Sequence, residues 1–534
     1  NTNGNDYASW TFRKAPKFFT CLTYTGTGSA QNISHDLGSV PGTIIIKGID
    51  YEENWIVYHR SLGETKYIQL NSSGAASTSS NTWNNTAPTS TEFTVNTLNA
   101  VNESGYNYVA YLFAHNDGDG EFGPDGDQDI IKCGSFTTNS DGSVDLVDLG
   151  FEPQWLMIKN SSTAGNWDIH DVMRDGTLST RLRPNTSDAE LSYSTQYLKA
   201  EATGFSAIAG WGGASNTKIY IAIRRGPLAP PEDATEVFDV DISTQAINSS
   251  SPPPRTNFPV DTAIYRNRGS GSSWVLASRL TGSRALFPNQ TRADDNNYMT
   301  FDAMDGWGIS QSAWEASGNF LFYNWKRAPG FFDVVAYSGN GTSGRTVSHN
   351  LGVAPELIVT KRRESSMSWA VGVPSISSGQ GYLKLQSSDA LDIPFYTVWS
   401  NITASSYNVG ADGITNASGG TYIAYLFASL PGISKVGSYT GNGSSQTIDC
   451  GFTSGARFVL IKRTDSSGDW NVYDTERGIV AGNDSRLSLN TTDAEDTSND
   501  RVDPSSSGFA VNYIATGTSD SNISGASYIF YAIA

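Results

Sequence analysis

The chain has 534 residues, with 35 Lys and Arg against 53 Asp and Glu, a net charge of −18 and a pI near 4.7. That length exceeds what one core organises, since domains run to about 100–150 residues each, and the acidic balance argues against nucleic acid or an anionic membrane as the main partner. Charged residues make up only 16 %, below the ~25 % of an average globular chain, yet 13 Trp, 25 Tyr and 23 Phe exclude a disordered polymer.

In chain order the first segment, residues 1–16, carries Tyr7-Ala8-Ser9-Trp10-Thr11-Phe12-Arg13. It reads as the last strand of a module whose other strands lie elsewhere. Either a longer polypeptide precedes Asn1, or the strand completes a sheet in a neighbouring subunit. The first full module, 17–116, follows. Its apolar strand Thr43-Ile44-Ile45-Ile46-Lys47 ends on a base, Trp55 stands eight positions later, and Asn71-Ser72-Ser73-Gly74-Ala75 comes next. It closes on Tyr108-Val109-Ala110-Tyr111-Leu112-Phe113. An acidic linker, 117–129, leads to the second module, 130–226. There the same marks recur as Lys159, Trp167, Asn185-Thr186-Ser187-Asp188-Ala189 and Ile219-Tyr220-Ile221-Ala222-Ile223.

A Pro-rich entry, Gly226-Pro227-Leu228-Ala229-Pro230-Pro231, opens the third module, 227–327, with Ser251-Pro252-Pro253-Pro254 inside it. Its marks are Arg266, Trp274, Asn289-Gln290-Thr291-Arg292-Ala293 and Phe320-Leu321-Phe322-Tyr323-Asn324-Trp325. The fourth module, 328–430, has Lys361, Trp369 and Gln386-Ser387-Ser388-Asp389-Ala390. The fifth, 431–534, has Lys462, Trp470 and Asn490-Thr491-Thr492-Asp493-Ala494.

Short alternating apolar runs bounded by Gly, Asn and Pro are strands. The period of roughly 100 residues is that of one β-sandwich. The expectation is therefore an all-β chain of five tandem β-sandwich modules, preceded by an orphan strand from a truncated module. Each module is large enough for its own core, and the five marked Trp residues are expected to fill those cores. A longer period lies over the short one: residues 7–19 match residues 320–332, and Ser34-His35-Asp36-Leu37-Gly38 matches Ser348-His349-Asn350-Leu351-Gly352. The chain thus reads as two three-module sets, the first lacking most of its opening module.

The acidic linker is the strongest chemical signal. Asp117, Asp119, Glu121, Asp125, Asp127 and Asp129 alternate with Gly and other residues, a set that offers oxygen ligands to a structural Ca²⁺. The Gly and Glu that would complete an EF-hand loop are missing, so a solvated acidic turn is the competing reading. Cys21, Cys133 and Cys450 are too few and too dispersed for a disulfide framework or a thiolate zinc site, and read as buried thiols in strands. His35, His59, His115, His170 and His349 form no metal-binding spacing, and no nucleophile elbow or phosphate loop occurs. Asp188 and Glu190 recur as Asp493 and Glu495, which reads as structural, so no catalytic residue and no enzyme is expected. Trp83, Trp211, Trp307, Trp314 and Trp399 lie outside the repeat mark, where they serve either as ligand platforms or as packing.

Phrases such as Trp325-Lys326-Arg327-Ala328-Pro329-Gly330-Phe331-Phe332, Ser348-His349-Asn350-Leu351-Gly352 and Gly468-Asp469-Trp470-Asn471-Val472-Tyr473-Asp474 resemble the repeated β-modules of virion proteins from marine tailed phages. The resemblance covers modules one, two, four and five, while module three departs from it. It implies a non-enzymatic virion structural protein of tail-fibre or appendage type, located in the virion and assembled with copies of itself and other virion proteins. A host-surface glycan or protein is a further partner of that type, with neither nucleic acid nor membrane insertion. A capsid decoration protein, a bacterial cell-surface adhesin and a polysaccharide-degrading tailspike are the alternatives.

Overall fold

The computed structural model describes residues 7–534 except 176, 177, 179, 193–196, 246, 248–252, 254, 270, 296, 297, 302, 310–317, 378, 379, 396 and 515–520. The apolar runs form antiparallel strands throughout, as the alternation predicts, and helices are single turns. Each module repeats one sheet order. An entry strand pairs with the closing strand, the closing strand with the strand that ends on the repeated base, and that basic strand with the strand at the repeated Trp.

In the first module these are Phe19–Thr25, Asn107–Phe113, Thr43–Gly48 and Ile56–His59. In the second they are Ile131–Thr137, Thr217–Arg224, Pro153–Asn160 and Trp167–Asp171. The third uses Phe238–Ser243, Phe320–Trp325, Thr262–Asn267 and Val275–Ser278. The fourth uses Phe332–Ser338, Thr421–Phe427, Leu357–Arg362 and Ala370–Gly372. The fifth uses Ser434–Thr440, Ser527–Ile533, Phe458–Arg463 and Trp470–Asp474. A smaller second sheet accompanies each of them, for example Arg345–Ser348 with Ser406–Val409 and Trp399–Ser400 in the fourth. In the divergent third module it shrinks among the described residues to Met299–Thr300 against Gly308–Ile309.

Two compact units emerge. One holds residues 1–171 and 178–225, the other residues 172–177 and 226–534. In the second unit the main sheets bury both faces, which is why their strands read as continuous apolar runs. Ile358 faces its own module's core with Tyr407 and Trp399. Leu357 and Val359, one residue to either side, join a core that also takes Tyr323, Tyr425, Phe458 and Tyr531 from the third, fourth and fifth modules. Trp274, Trp369 and Trp470 lie in this shared core, which corrects the expectation that each fills its own module. Alternation fixes which residues share a face, but not which of two apolar faces meets a neighbour.

Three module entries use the same turn. The bridges Ala15–Phe19, Ala328–Phe332 and Leu430–Ser434 close it, with positive φ at Lys17 (56°), Gly330 (76°) and Gly432 (75°). Glycine costs nothing there, whereas Lys17 holds a conformation that side chains disfavour. Residues 7–14, expected as a module's last strand, have no ladder partner among the described residues; Trp10 and Phe12 pack on the first unit instead. Residues 1–6 lie outside the described residues.

Candidate functional site

The repeated marks converge at the contacts between modules. Within each module the first residue of the Asn/Gln mark turns its side-chain oxygen to the backbone N–H of the Trp. Trp55 N donates to Asn71 Oδ1 at 3.1 Å, Trp167 N to Asn185 Oδ1 at 3.0 Å and Trp274 N to Asn289 Oδ1 at 3.1 Å. Trp369 N donates to Gln386 Oε1 at 3.0 Å and Trp470 N to Asn490 Oδ1 at 2.9 Å. This bond holds the mark as a strap beside the Trp strand, with its carbonyls turned to the next module.

The next module uses those carbonyls. Four of the five repeated Trp indoles donate their N–H to the carbonyl two residues before a neighbouring module's strap. Trp167 Nε1 reaches Gln69 O at 2.8 Å, Trp369 Nε1 reaches Phe287 O at 3.1 Å and Trp470 Nε1 reaches Lys384 O at 3.0 Å. Trp274 Nε1 reaches Ser488 O at 2.9 Å. The repeated base reaches into the strap itself. Lys159 Nζ donates to Ser73 O at 3.0 Å, Lys361 Nζ to Thr291 O at 3.1 Å and Lys462 Nζ to Ser388 O at 3.1 Å and Asp389 O at 2.8 Å. Arg266 spans Thr491 O and Asp493 O. A backbone bond completes the set: Ala76 N to Ser161 O, Asp294 N to Arg363 O, Leu391 N to Thr464 O and Glu495 N to Arg268 O, at 2.8–3.3 Å.

In the second unit these contacts close a cycle: the fourth module grips the third, the fifth grips the fourth, and the third grips the fifth. Where the third meets the fifth, Tyr323 Oη donates to Asp474 Oδ2 at 2.7 Å. The buried Arg477 bonds Asp474 at 2.6 Å, the Tyr323 hydroxyl at 3.1 Å and Glu495 at 3.2 Å. Burial opposes the Arg477 charge, but Asp474 and Glu495 outweigh it and raise its pKa. Burial, the largest influence, lowers Lys159, Lys361 and Lys462 to about 8. The nearby cations Lys218, Arg362 and Arg463 push the same way, and the carboxylates in reach offset only part of the loss because the direct partners are carbonyl dipoles. Among the described residues the modules enclose a small apolar cavity of about 60 Å³ lined by Tyr323, Tyr425 and Tyr531.

The acidic linker is arranged around cations the chain itself supplies. Lys17 Nζ lies 2.7 Å from Glu121 Oε1 and donates to Asp119 O at 2.9 Å. Lys132 Nζ lies 3.5 Å from Asp117 and 3.8 Å from Asp129. Asp129 also accepts from the backbone of Gly118 at 2.8 Å and Gly120 at 2.9 Å. Asp125 and Asp127 join no ion pair among the described residues. Among the described residues no three His, Cys, Asp or Glu side chains converge on a common point.

Most of the remaining sequence candidates are engaged in hydrogen bonds, ion pairs or packing within the protein. His35 and His349 accept from the Leu37 and Leu351 backbone N–H at 3.3 Å. His59 meets Tyr220 O at 3.0 Å between the first and second modules, and burial lowers its pKa to about 4. Cys133 and Cys450 are buried thiols, each pushed up to about 12 by burial. Cys21, expected to be buried, is exposed. Asp188 pairs with Arg183 and Glu495 with Arg268, both at 3.3 Å. Trp83, Trp307 and Trp399 are buried. Trp211 is half-buried, with Lys218 Nζ 5.0 Å over its ring. Trp314, Ser251, Pro252 and Pro254 lie outside the described residues.

A model of the family described as a domain of unknown function, DUF7483, matches residues 1–227 and 248–534. No curated protein matches the chain.

Proposed function

Since the chain belongs to the DUF7483 family, whose description assigns no activity, its role is read from its own geometry, and we propose that it is a non-enzymatic structural protein of a tailed-phage virion, of tail-fibre or appendage type. One observation carries the structural part of this reading. At four module pairs the repeated base and Trp fasten one module to another, and the repeated Asn or Gln braces the strap they grip. A chain whose recurrent chemistry is used for joints fits a building block better than a catalyst. The virion assignment rests on the sequence resemblance. In that setting the partners are copies of this chain and other virion proteins.

Immunogold electron microscopy of the native source, with an antibody to this chain, tests it. Label on virion tails or fibres is the expected result. Label on capsids would move the chain to a decoration role, and label on cell surfaces free of virions would replace the reading with an adhesin.

Attachment to a host-surface glycan is a second role, favoured by Trp211. Its ring is half-buried, flanked by Gly210, Gly212 and Gly213, with Lys218 Nζ 5.0 Å over it and Phe136 stacked at 6.3 Å. The exposed part of such an indole offers an apolar body with a polar tip to a ligand. Trp211→Ala should abolish binding to host glycan on an array while moving the unfolding midpoint by no more than the equivalent of about 1 kcal/mol.

A further inference from the structure

The same fastening recurs at four module pairs and leaves one half-joint open on each side of the first unit. On the first module, Lys47 Nζ donates to Gly48 O at 3.0 Å and Tyr51 O at 3.4 Å. These match the bonds of Lys361 to Arg362 O and Ser365 O inside its own module. The third bond, which Lys361 sends to a neighbouring strap, has no counterpart at Lys47 among the described residues. Trp55 is half-buried, and its indole N–H meets no protein acceptor there. Ile49 stands where Ser161 and Thr464 stand in the joined modules. It is 55 % exposed, and they are 8 % exposed. On the second module, the strap Asn185-Thr186-Ser187-Asp188-Ala189 is braced by Trp167, but no described donor reaches the Ser187 carbonyl, the equivalent of Ser73, Thr291 and Ser388.

Residues 7–19 show what would stand between the two half-joints. In sequence they match residues 320–332, where the third module ends and the fourth begins. In space they make the same contacts. Trp10 Nε1 donates to Asp171 Oδ2 at 3.1 Å, as Tyr323 Oη donates to Asp474 Oδ2; Asp171 and Asp474 each end a Trp strand four residues after its Trp. Phe12 meets Trp155 edge-on at 5.7 Å and Phe19 at 5.7 Å. Trp325 meets Phe458 edge-on at 6.0 Å and Phe332 at 6.4 Å. Lys17 N donates to Leu37 O at 2.6 Å, and Gly330 N to Leu351 O at 2.7 Å.

We propose that the open faces at Lys47/Trp55 and at the 185–189 strap are the docking surface for a sixth module of this fold, supplied by polypeptide N-terminal to residue 7, with residues 7–14 as its closing strand. Its strap accepts from Lys47 and Trp55, its own base and Trp grip the second module's strap, and the first unit becomes a closed cycle like the second.

The test uses the third module as the probe, since its end is the segment that residues 7–14 match. A copy of residues 227–319 is joined to Tyr7 of the full chain, and tryptophan oxidation is mapped by mass spectrometry. In the parent chain Trp55 should oxidise about tenfold faster than Trp167, Trp369 or Trp470. In the extended chain it should fall to their rate, and replacing the copied Asn289-Gln290-Thr291-Arg292-Ala293 by a Gly/Ser stretch should restore the fast rate. A folded, monomeric extended chain in which Trp55 stays fast overturns the proposal. So does a parent chain that self-associates in ultracentrifugation and protects Trp55 by doing so, because a second copy would then be the occupant. If the extended chain fails to fold, peptide mapping of the native protein decides. Peptides upstream of Asn1 carrying a base and a Trp eight residues later support the proposal, and a native terminus at Asn1 overturns it.

Discussion

At the scale of residues, the repeated Trp and its base act as a pair that desolvates and then satisfies a neighbour's main chain. Trp470 is buried, and its indole N–H meets Lys384 O. Removing it opens a cavity and strands that carbonyl, so Trp470→Ala should lower stability by about 3–5 kcal/mol in urea unfolding. Trp55→Ala should cost clearly less, because its half-buried ring packs only on the edge of the first unit's core and beside Tyr111, with no carbonyl left unpaired by its removal. Equal losses at both sites would refute the difference in role. Lys462→Met keeps the stem but leaves the carbonyls of Ser388, Asp389 and Gly468 short of a donor, for a loss of about 1–3 kcal/mol in the same assay. The spacing of base and Trp was legible in the sequence, and so was the strap that follows. Their destination was not, because a buried Trp on an apolar strand looks the same whether it packs inward or across a joint. Cys21 was misread for a related reason: it lies on a strand with apolar neighbours but points to the side that solvent reaches.

Among the elements, the Trp strand of the first module carries a pH sensitivity. His59 sits at its end, buried against Tyr220 O of the second module, and His115 beside it is also lowered to about 4 by burial. Both have folded-state values below the ordinary 6.5 of an exposed imidazole. Between those values the unfolded chain binds more protons, so the first unit loses stability as pH falls from about 6.5 through 4 and is fully stable above that window. Chemical unfolding followed by fluorescence at pH 7 and pH 5 should show the loss, and His59→Asn should reduce it. A His59→Asn chain with an unchanged pH dependence would exclude this assignment. Strand content and turn chemistry were readable from alternation and from Gly-Asn clusters. The acidic linker was readable as a charged loop, and Lys132, three residues after Asp129, is a local counter-charge. Lys17, which meets Glu121 from the start of the first module about a hundred residues away, is announced by no local spacing.

For the molecule as a whole, three modules of the second unit share one apolar core, and the third and fourth also keep cores of their own. Stability should therefore be pooled across them. In native-state hydrogen exchange, amides of Phe320–Trp325, Thr421–Phe427 and Ser527–Ile533 should open with one common free energy. Three separate values would mean that the modules unfold independently. The module count was written in the repeats, and the longer period hinted at sets of three. Closure into a cycle was invisible, since it depends on the third module meeting the fifth through Arg266 and Tyr323, residues more than 150 positions from their partners. One property of these joints reaches beyond mechanics. The accepting side is main chain, and Ser73, Thr291, Ser388 and Asp493 serve it with unlike side chains. Mutation can rewrite that stretch without altering the atoms that bind. A gene built from such units can be copied and left to drift, each copy still able to meet its siblings through the main chain.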